Sequence, residues 1–293
     1  MGEELKEFAD YLRKADLSEN TVLAYIRDLK DFDRFLGEKG FSGSEDSGNS
    51  EVVAFLLHLR NQEKTAATIN RKVAALRSFF AFLCSCGKRE DNPAKGIRNT
   101  KGERKSPEYL TIEQVENLLQ QPDRSFKGLR DRALLELLYA SGMRVSEAAA
   151  ANLEDVNLRI GFIVSGADRG KARLIPLGRP ARVAVEVYLT QSRPGLVREK
   201  EEKALFVNYN GERLTRQGIW KMMKEYAEKA GLSEKLTPQI LRNSFAVHMV
   251  QNGADLKTLQ ELLGHEDILA TQIYLNMDKK KIKDVYDKTH PRA

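Results

Sequence analysis

The chain has 293 residues, 41% of them hydrophobic and 31% charged, the balance of a folded globular chain long enough for two domains. Its only cysteines, Cys84 and Cys86, are too few for a disulfide framework or a structural zinc site, and they read as reduced thiols. No apolar run is long enough to cross a bilayer, and the opening "MGEELKEFAD" is acidic and amphipathic, unlike a secretory signal.

The net charge of +6 is unevenly spread. Residues 1–59 carry 7 Lys/Arg against 13 Asp/Glu, whereas residues 60–105 carry 12 against 4. A basic middle suits a phosphate-backbone partner, though a solvated helix face with a charged linker has the same composition.

The first hundred residues predict helices. After one near the N-terminus, "SENTVLAYIRDLKDFDRFL" places Val22, Tyr25, Ile26, Leu29, Phe32, Phe35 and Leu36 at helical spacing, with Ser18 as N-cap. The polar stretch 41–50 is a loop. "EVVAFLLHLRNQ" is a third helix. "ATINRKVAALRSFFAFLCS" is a fourth, with Arg71, Lys72 and Arg77 off its apolar face. Together they predict a helical domain over 1–91 with one basic helix. A basic linker follows over 92–107, containing Pro93, Gly96, Gly102 and Pro107.

The remainder, 108–293, is mixed. Thr111 and Gln114 form a capping-box pattern. "LRDRALLELLYASG" is a helix ending at Gly142. "GFIVSGADRGKARLIPLG" predicts two short strands around a turn, and "ALFVN" a third strand. A helix through Trp220 comes next, then "TPQILRNSFAVHMVQNG", "DLKTLQELLG" and a last helical segment holding Tyr274. The expected fold class is mainly α with a small β-sheet: a helical N-terminal domain and a mixed α/β C-terminal domain.

Three separated pieces carry distinctive chemistry. "ASGMRVSE" sets Arg144 just past a helix end, "TPQILRNSF" sets Arg242 in the first turns of a helix, and "LGHEDILATQIYLN" supplies His265 and Tyr274. Each has an ordinary reading. Arg144 could cap helix carbonyls, Arg242 could pair with an acid, His265 could be a capping residue after Gly264, and a tyrosine in an amphipathic helix usually packs in a core. His58 and His248 lie in helices and read as structural or surface residues.

With "LRDRALLELLYASGMRVSE", "RLIPLG", "FVNYNG", "NGADLKTLQELLGH", "TQIY" and the terminal "HPRA", the chain resembles the tyrosine recombinases of the phage integrase family, specifically the XerC/XerD type. The "HPRA" ending favours the XerD branch. The resemblance runs over nearly the whole chain. It implies a SAM-like core-binding domain at 1–91 that binds DNA and a catalytic domain at 108–293.

The resemblance also implies roles. Arg144 and Arg242 would grip the non-bridging oxygens of a phosphodiester, and guanidinium forks stay charged at any working pH. Tyr274 would be the nucleophile. A free phenol has a pKa near ~10, so a cationic pocket must ease its deprotonation. His265 would contact the same phosphate. The product is a 3′-phosphotyrosyl bond that conserves the diester's energy, so no cofactor and no metal is implied. The implied partners are double-stranded DNA at a dif-type site, a XerC-like recombinase or further copies of the chain in a tetramer, and an FtsK-type translocase. The implied task is resolution of chromosome dimers in the cytoplasm, without membrane contact.

Two positions depart from the family pattern. Gln239 stands where the family has the histidine of His-x-x-Arg. Asp168 stands where the family has the lysine that protonates the leaving 5′ oxygen. Lys171, three residues on, is the substitute candidate. These departures keep open a catalytically weak or inactive DNA-binding partner of the same fold. An element-borne integrase is a further alternative, disfavoured by the "HPRA" ending.

Overall fold

A computed structural model of the chain describes residues 2–100, 107–166, 172–199 and 201–264. The chain divides into two compact units, residues 1–104 and 105–293.

The described part of unit 1 contains four helices: α1 (Gly2–Lys14), α2 (Glu19–Lys39), α3 (Asn49–Asn61) and α4 (Ala66–Ser85). Ser18 caps α2 by accepting from the Thr21 amide at 3.3 Å, and Thr65 caps α4 by the same bond to Thr68. The core is aromatic. Phe8, Phe32, Phe79 and Phe80 are fully buried, with Phe8 edge-on to Phe79 at 5.3 Å between centroids and Phe32 against Phe55 at 5.1 Å.

The basic helix differs from its expectation. Lys72 is buried, and its Nζ donates to Asp28 at 2.9 Å and to Asp31 at 2.7 Å. Arg71 pairs with the same Asp28. Arg77 donates to the Ile97 carbonyl at 2.8 Å and to the Ala94 carbonyl at 3.5 Å. The acidic α2 therefore pairs with Arg71 and Lys72 of α4, while backbone carbonyls hold Arg77. A buried lysine needs such partners because an unpaired charge there would cost several kcal/mol.

The first residues of the expected linker are hydrogen-bonded to α4. Asn92 Nδ2 donates to the Arg77 carbonyl at 3.0 Å, and Asn70 exchanges bonds with the Thr100 backbone at 2.7 and 2.9 Å. Residues 92–100 are thus fastened to α4. Lys95 and Arg98 on this stretch remain exposed.

Unit 2 begins with α5 (Ile112–Gln120), capped by the expected Thr111–Gln114 box: Thr111 Oγ1 accepts from Gln114 N at 3.3 Å and Gln114 Oε1 accepts from Thr111 N at 3.0 Å. Its central helix is α6 (Phe126–Ser141), where Leu134, Leu135, Leu137 and Leu138 are all buried. All six residues from Ala133 to Leu138 are buried, a run longer than one turn, so this helix lies inside the core rather than on it. The short α7 (Val145–Ala150) follows.

The sheet is antiparallel in the order β1 (Val156–Asn157), β2 (Phe162–Ser165), β3 (Arg173–Pro176). The β2–β3 hairpin matches expectation, with Ile163 opposite Ile175. The expected strand at "ALFVN" does not join it. Residues 204–208 make isolated bridges instead, Ala204 with Asn152 and Val207 with Arg213. The backbone there is engaged elsewhere: the Leu205 amide donates to the Ala151 carbonyl, the Phe206 carbonyl accepts from the Leu214 amide, and buried Arg130 donates to the Val207 carbonyl at 3.1 Å. The third strand comes from Val156–Asn157, ahead of the hairpin.

Next come α8 (Arg179–Val187), a π-turn over 188–192, α9 (Arg193–Leu196), α10 (Arg216–Lys229), α11 (Pro238–Gln251) and α12 (Leu256–Leu263). His248 in α11 is buried and bonded to the Tyr139 hydroxyl at 2.9 Å, as a structural histidine should be. No helix among the described residues is long and apolar enough to cross a membrane.

Gly142 sets the approach of α6 to α11. It caps α6 with φ +57°, and an added Cβ would lie 2.3 Å from Phe245 Cδ1. Gly142→Ala is expected to cost about 2–5 kcal/mol, combining a left-handed penalty of ~1–2 with overpacking of ~1–3. A fall in the urea midpoint of unit 2 measures it; an unchanged midpoint would show that Phe245 moves aside freely.

Candidate active site

The site assembles where α7, α11, α12 and β3 meet. Arg144 stands at the N-cap of α7. Its amide donates to Glu147 Oε2 at 2.7 Å and its Nη1 to Glu147 Oε1 at 3.0 Å. The capping geometry holds a carboxylate one turn from the guanidinium, so the backbone fixes the start of the Arg144 side chain. Its side chain is 42% exposed, open to a ligand.

Glu147 is buried and has a second cation. Arg173, on β3, donates Nη2 to Oε2 at 2.7 Å and Nη1 to Oε1 at 3.2 Å. Burial alone would raise the Glu147 pKa. The bonds from Arg173 and from the Arg144 amide outweigh it and hold the carboxyl at about 2. Glu147 is therefore an anion at neutral pH.

Arg242, on α11, is only 4% exposed. Its Nη1 donates to the Gly142 carbonyl at 2.5 Å and its Nη2 to the Leu263 carbonyl at 2.6 Å. These carbonyls belong to the C-terminal ends of α6 and α12, where helix dipoles favour a cation. Gln239, one turn earlier, is exposed and donates to Asn243 Oδ1 at 2.9 Å.

Arg144, Arg242 and Gln239 line one cleft of about 890 Å³. Arg216, Gln217 and Trp220 from the first turns of α10 form part of its wall. Lys224 Nζ lies 4.0 Å over the Trp220 ring. Among the described residues, three arginines and no carboxylate line the cleft, which makes it a receptor for an anion. Distant sequence motifs thus converge, as the two arginines required.

Lys171, Asp168, His265 and Tyr274 lie outside the described residues. The described chain reaches Gly166 at the end of β2 and resumes at Ala172, and it reaches Gly264 after α12. Both approaches are tied to the site. Arg173 Nε donates to the Leu262 carbonyl at 2.8 Å, one residue before the carbonyl that Arg242 holds.

Sequence reasoning missed Glu147, Arg173 and Arg216. The Arg-x-x-Glu spacing of "RVSE" was a usable signal for Glu147, because it is a capping relation. A lone strand arginine gives no such signal. Cys84 and Cys86 are free thiols. Among the described residues, no cluster of three or more His, Cys, Asp or Glu could hold a metal ion.

Comparison with known proteins places this geometry. The phage integrase family matches residues 108–281, and the N-terminal SAM-like domain of phage integrases matches residues 5–87. The chain is 41% identical to tyrosine recombinase XerD of Listeria monocytogenes over the full length of both. It is 42% identical to tyrosine recombinase XerC of Roseiflexus castenholzii, over all of this chain and 95% of that one. The crystal structure of XerH site-specific recombinase bound to a palindromic difH substrate superposes with a TM-score of 0.75 at 22% identity, covering 96% of this chain and 94% of that one. An arginine-lined cleft, a helical domain ahead of it and full-length relatives agree: the chain belongs to the phage integrase family, as a site-specific tyrosine recombinase of the Xer type.

Proposed function

We propose that the cleft holds the scissile phosphodiester of duplex DNA and that Tyr274 attacks it, forming a 3′-phosphotyrosyl bond and releasing a 5′-hydroxyl. The convergence of Arg144 and Arg242 on one cleft, with no carboxylate among its described lining residues, carries this reading. Both guanidiniums address the non-bridging oxygens as charge builds on the five-coordinate phosphorus. His265, one residue beyond the Gly264 cap, supports the tyrosine at that phosphate. Lys171 delivers the proton to the 5′ oxygen in place of the usual lysine, and Gln239 fills the position of the family histidine as a neutral hydrogen-bond group.

Reversal of the attack by the 5′-hydroxyl of a second strand exchanges strands without ATP. Two such exchanges pass through a Holliday junction in a tetramer, with a XerC-like partner or with copies of the chain itself. The XerD relatives, and the difH substrate bound to the XerH neighbour, support a dif-type site and resolution of chromosome dimers. An FtsK-type translocase would control the reaction, and the chain would act in the cytoplasm where the chromosome lies.

The test is to incubate the full chain with nicked duplex carrying a dif-type site and to resolve the products on a denaturing gel. A covalent protein–DNA adduct is expected. Tight binding with no adduct would favour the second reading, a catalytically weak DNA-binding partner, which Asp168 and Gln239 motivate.

Binding should also be strongly salt-dependent. Lys95 and Arg98 are exposed on the stretch fastened to α4, and Lys101 follows within a few residues. Reversing all three to Glu is expected to reduce the slope of log K against log salt by about 0.9 for each phosphate that is no longer neutralised. An unchanged slope would show that this stretch does not touch the DNA backbone.

A further inference from the structure

We propose that Arg173 is a positioning residue that cancels the charge of Glu147, so that Arg144 meets the phosphate as a full cation. This inference rests on the reading of the cleft as a phosphate site. Arg144 and Glu147 alone make a neutral pair, 3.0 Å apart. A neutral pair attracts an anion weakly, because the carboxylate repels what the guanidinium attracts. Arg173 adds the missing charge: it binds both carboxylate oxygens, and its side chain is 13% exposed against 42% for Arg144. The trio carries a net single positive charge, and its open member is Arg144.

The placement of Arg173 is built rather than incidental. It sits on β3, and its Nε holds the Leu262 carbonyl at the end of α12. Gly264 closes α12 with φ +61°, and a Cβ there would lie 2.9 Å from Arg173 Nη1. The left-handed glycine cap thus lets the chain pass directly over the guanidinium. One side chain joins the hairpin, the Arg144 helix and the chain entering His265.

The test measures inorganic phosphate binding to the full-length protein, by titrating the side-chain Nε–Hε NMR resonance of Arg144, assigned with Arg144→Lys. Arg173→Gln is expected to weaken phosphate about tenfold, the effect of one uncompensated charge at close range. Adding Glu147→Gln should restore most of that affinity, since it removes the carboxylate that Arg173 had cancelled. Glu147→Gln alone should bind phosphate more tightly than wild type. Arg173→Lys, which keeps the charge without the fork, should stay within about threefold of wild type and serves where Arg173→Gln does not fold.

A merely structural arginine gives a different pattern. Arg173→Gln would then be no better with Glu147→Gln than without it, and Glu147→Gln alone would not tighten binding. Either result overturns the charge-cancelling role while leaving the cleft reading intact. Failure of wild-type phosphate to move the Arg144 resonance at all would overturn the cleft reading and this inference with it.

Discussion

Tyr274→Phe is expected to bind duplex DNA as the wild type does and to form no covalent adduct. The change removes one oxygen, the proposed attacking atom, and leaves the ring and every cation of the cleft in place. Arg242→Ala is expected to fail differently. The Arg242 guanidinium is buried and donates to the Gly142 and Leu263 carbonyls. Its removal takes away a preorganised donor, worth ~10²–10³ in cleavage rate. It also leaves carbonyls at two helix ends unsatisfied, at ~1–3 kcal/mol each. Adduct formation and urea unfolding, measured on both variants, separate the cases. Tyr274→Phe should keep its unfolding midpoint and lose all adduct, while Arg242→Ala should lose part of each. Adduct from Tyr274→Phe would mean that another residue is the nucleophile.

The asymmetry between those variants reflects what was legible in the sequence. Local signals transferred well. Ser18 caps α2 and the Thr111–Gln114 box caps α5, because capping is settled within four residues. Arg144 and Arg242 were legible as a pair only through the motifs around them. Nothing local brings residue 144 to residue 242; the core between α6 and α11 does, with Gly142 packed directly against Phe245.

The misreadings have the same origin. Arg71, Lys72 and Arg77 were placed off the apolar face of a basic helix, but Lys72 is buried, and Asp28, Asp31 and the Ile97 carbonyl hold the three from distant parts of the chain. Charge counting assigns a sign to a segment without saying which charges are already paired. "ALFVN" had strand composition, yet Arg130, buried in α6, takes the Val207 carbonyl. Arg173 was illegible for the converse reason: its whole meaning is in Glu147 and Leu262, which lie far away in sequence.

The last expected result concerns the leaving group. Expelling the 5′ oxygen requires a proton. On the proposed reading the family's donor position holds Asp168, and an ordinary carboxylate has no proton to give at neutral pH and would oppose the negative charge that builds on phosphorus. If Lys171 supplies the proton, Lys171→Ala should slow cleavage of an ordinary nicked substrate by ~10²–10⁴, the usual worth of a general acid. The same variant should cleave a 5′-bridging phosphorothiolate almost as fast as wild type, because sulfur leaves as a stable anion without protonation. Asp168→Lys should accelerate the ordinary reaction, since it restores a donor at the family position and removes a charge of the wrong sign. The pair of substrates isolates proton delivery from everything else in the cleft: a variant that merely disturbs Arg144 or Arg242 slows both. Equal rates for Lys171→Ala and wild type on both substrates would remove Lys171 from the mechanism and make Arg169 or water the next donor to test. No gain from Asp168→Lys, with no adduct from wild type, would put the non-catalytic reading ahead.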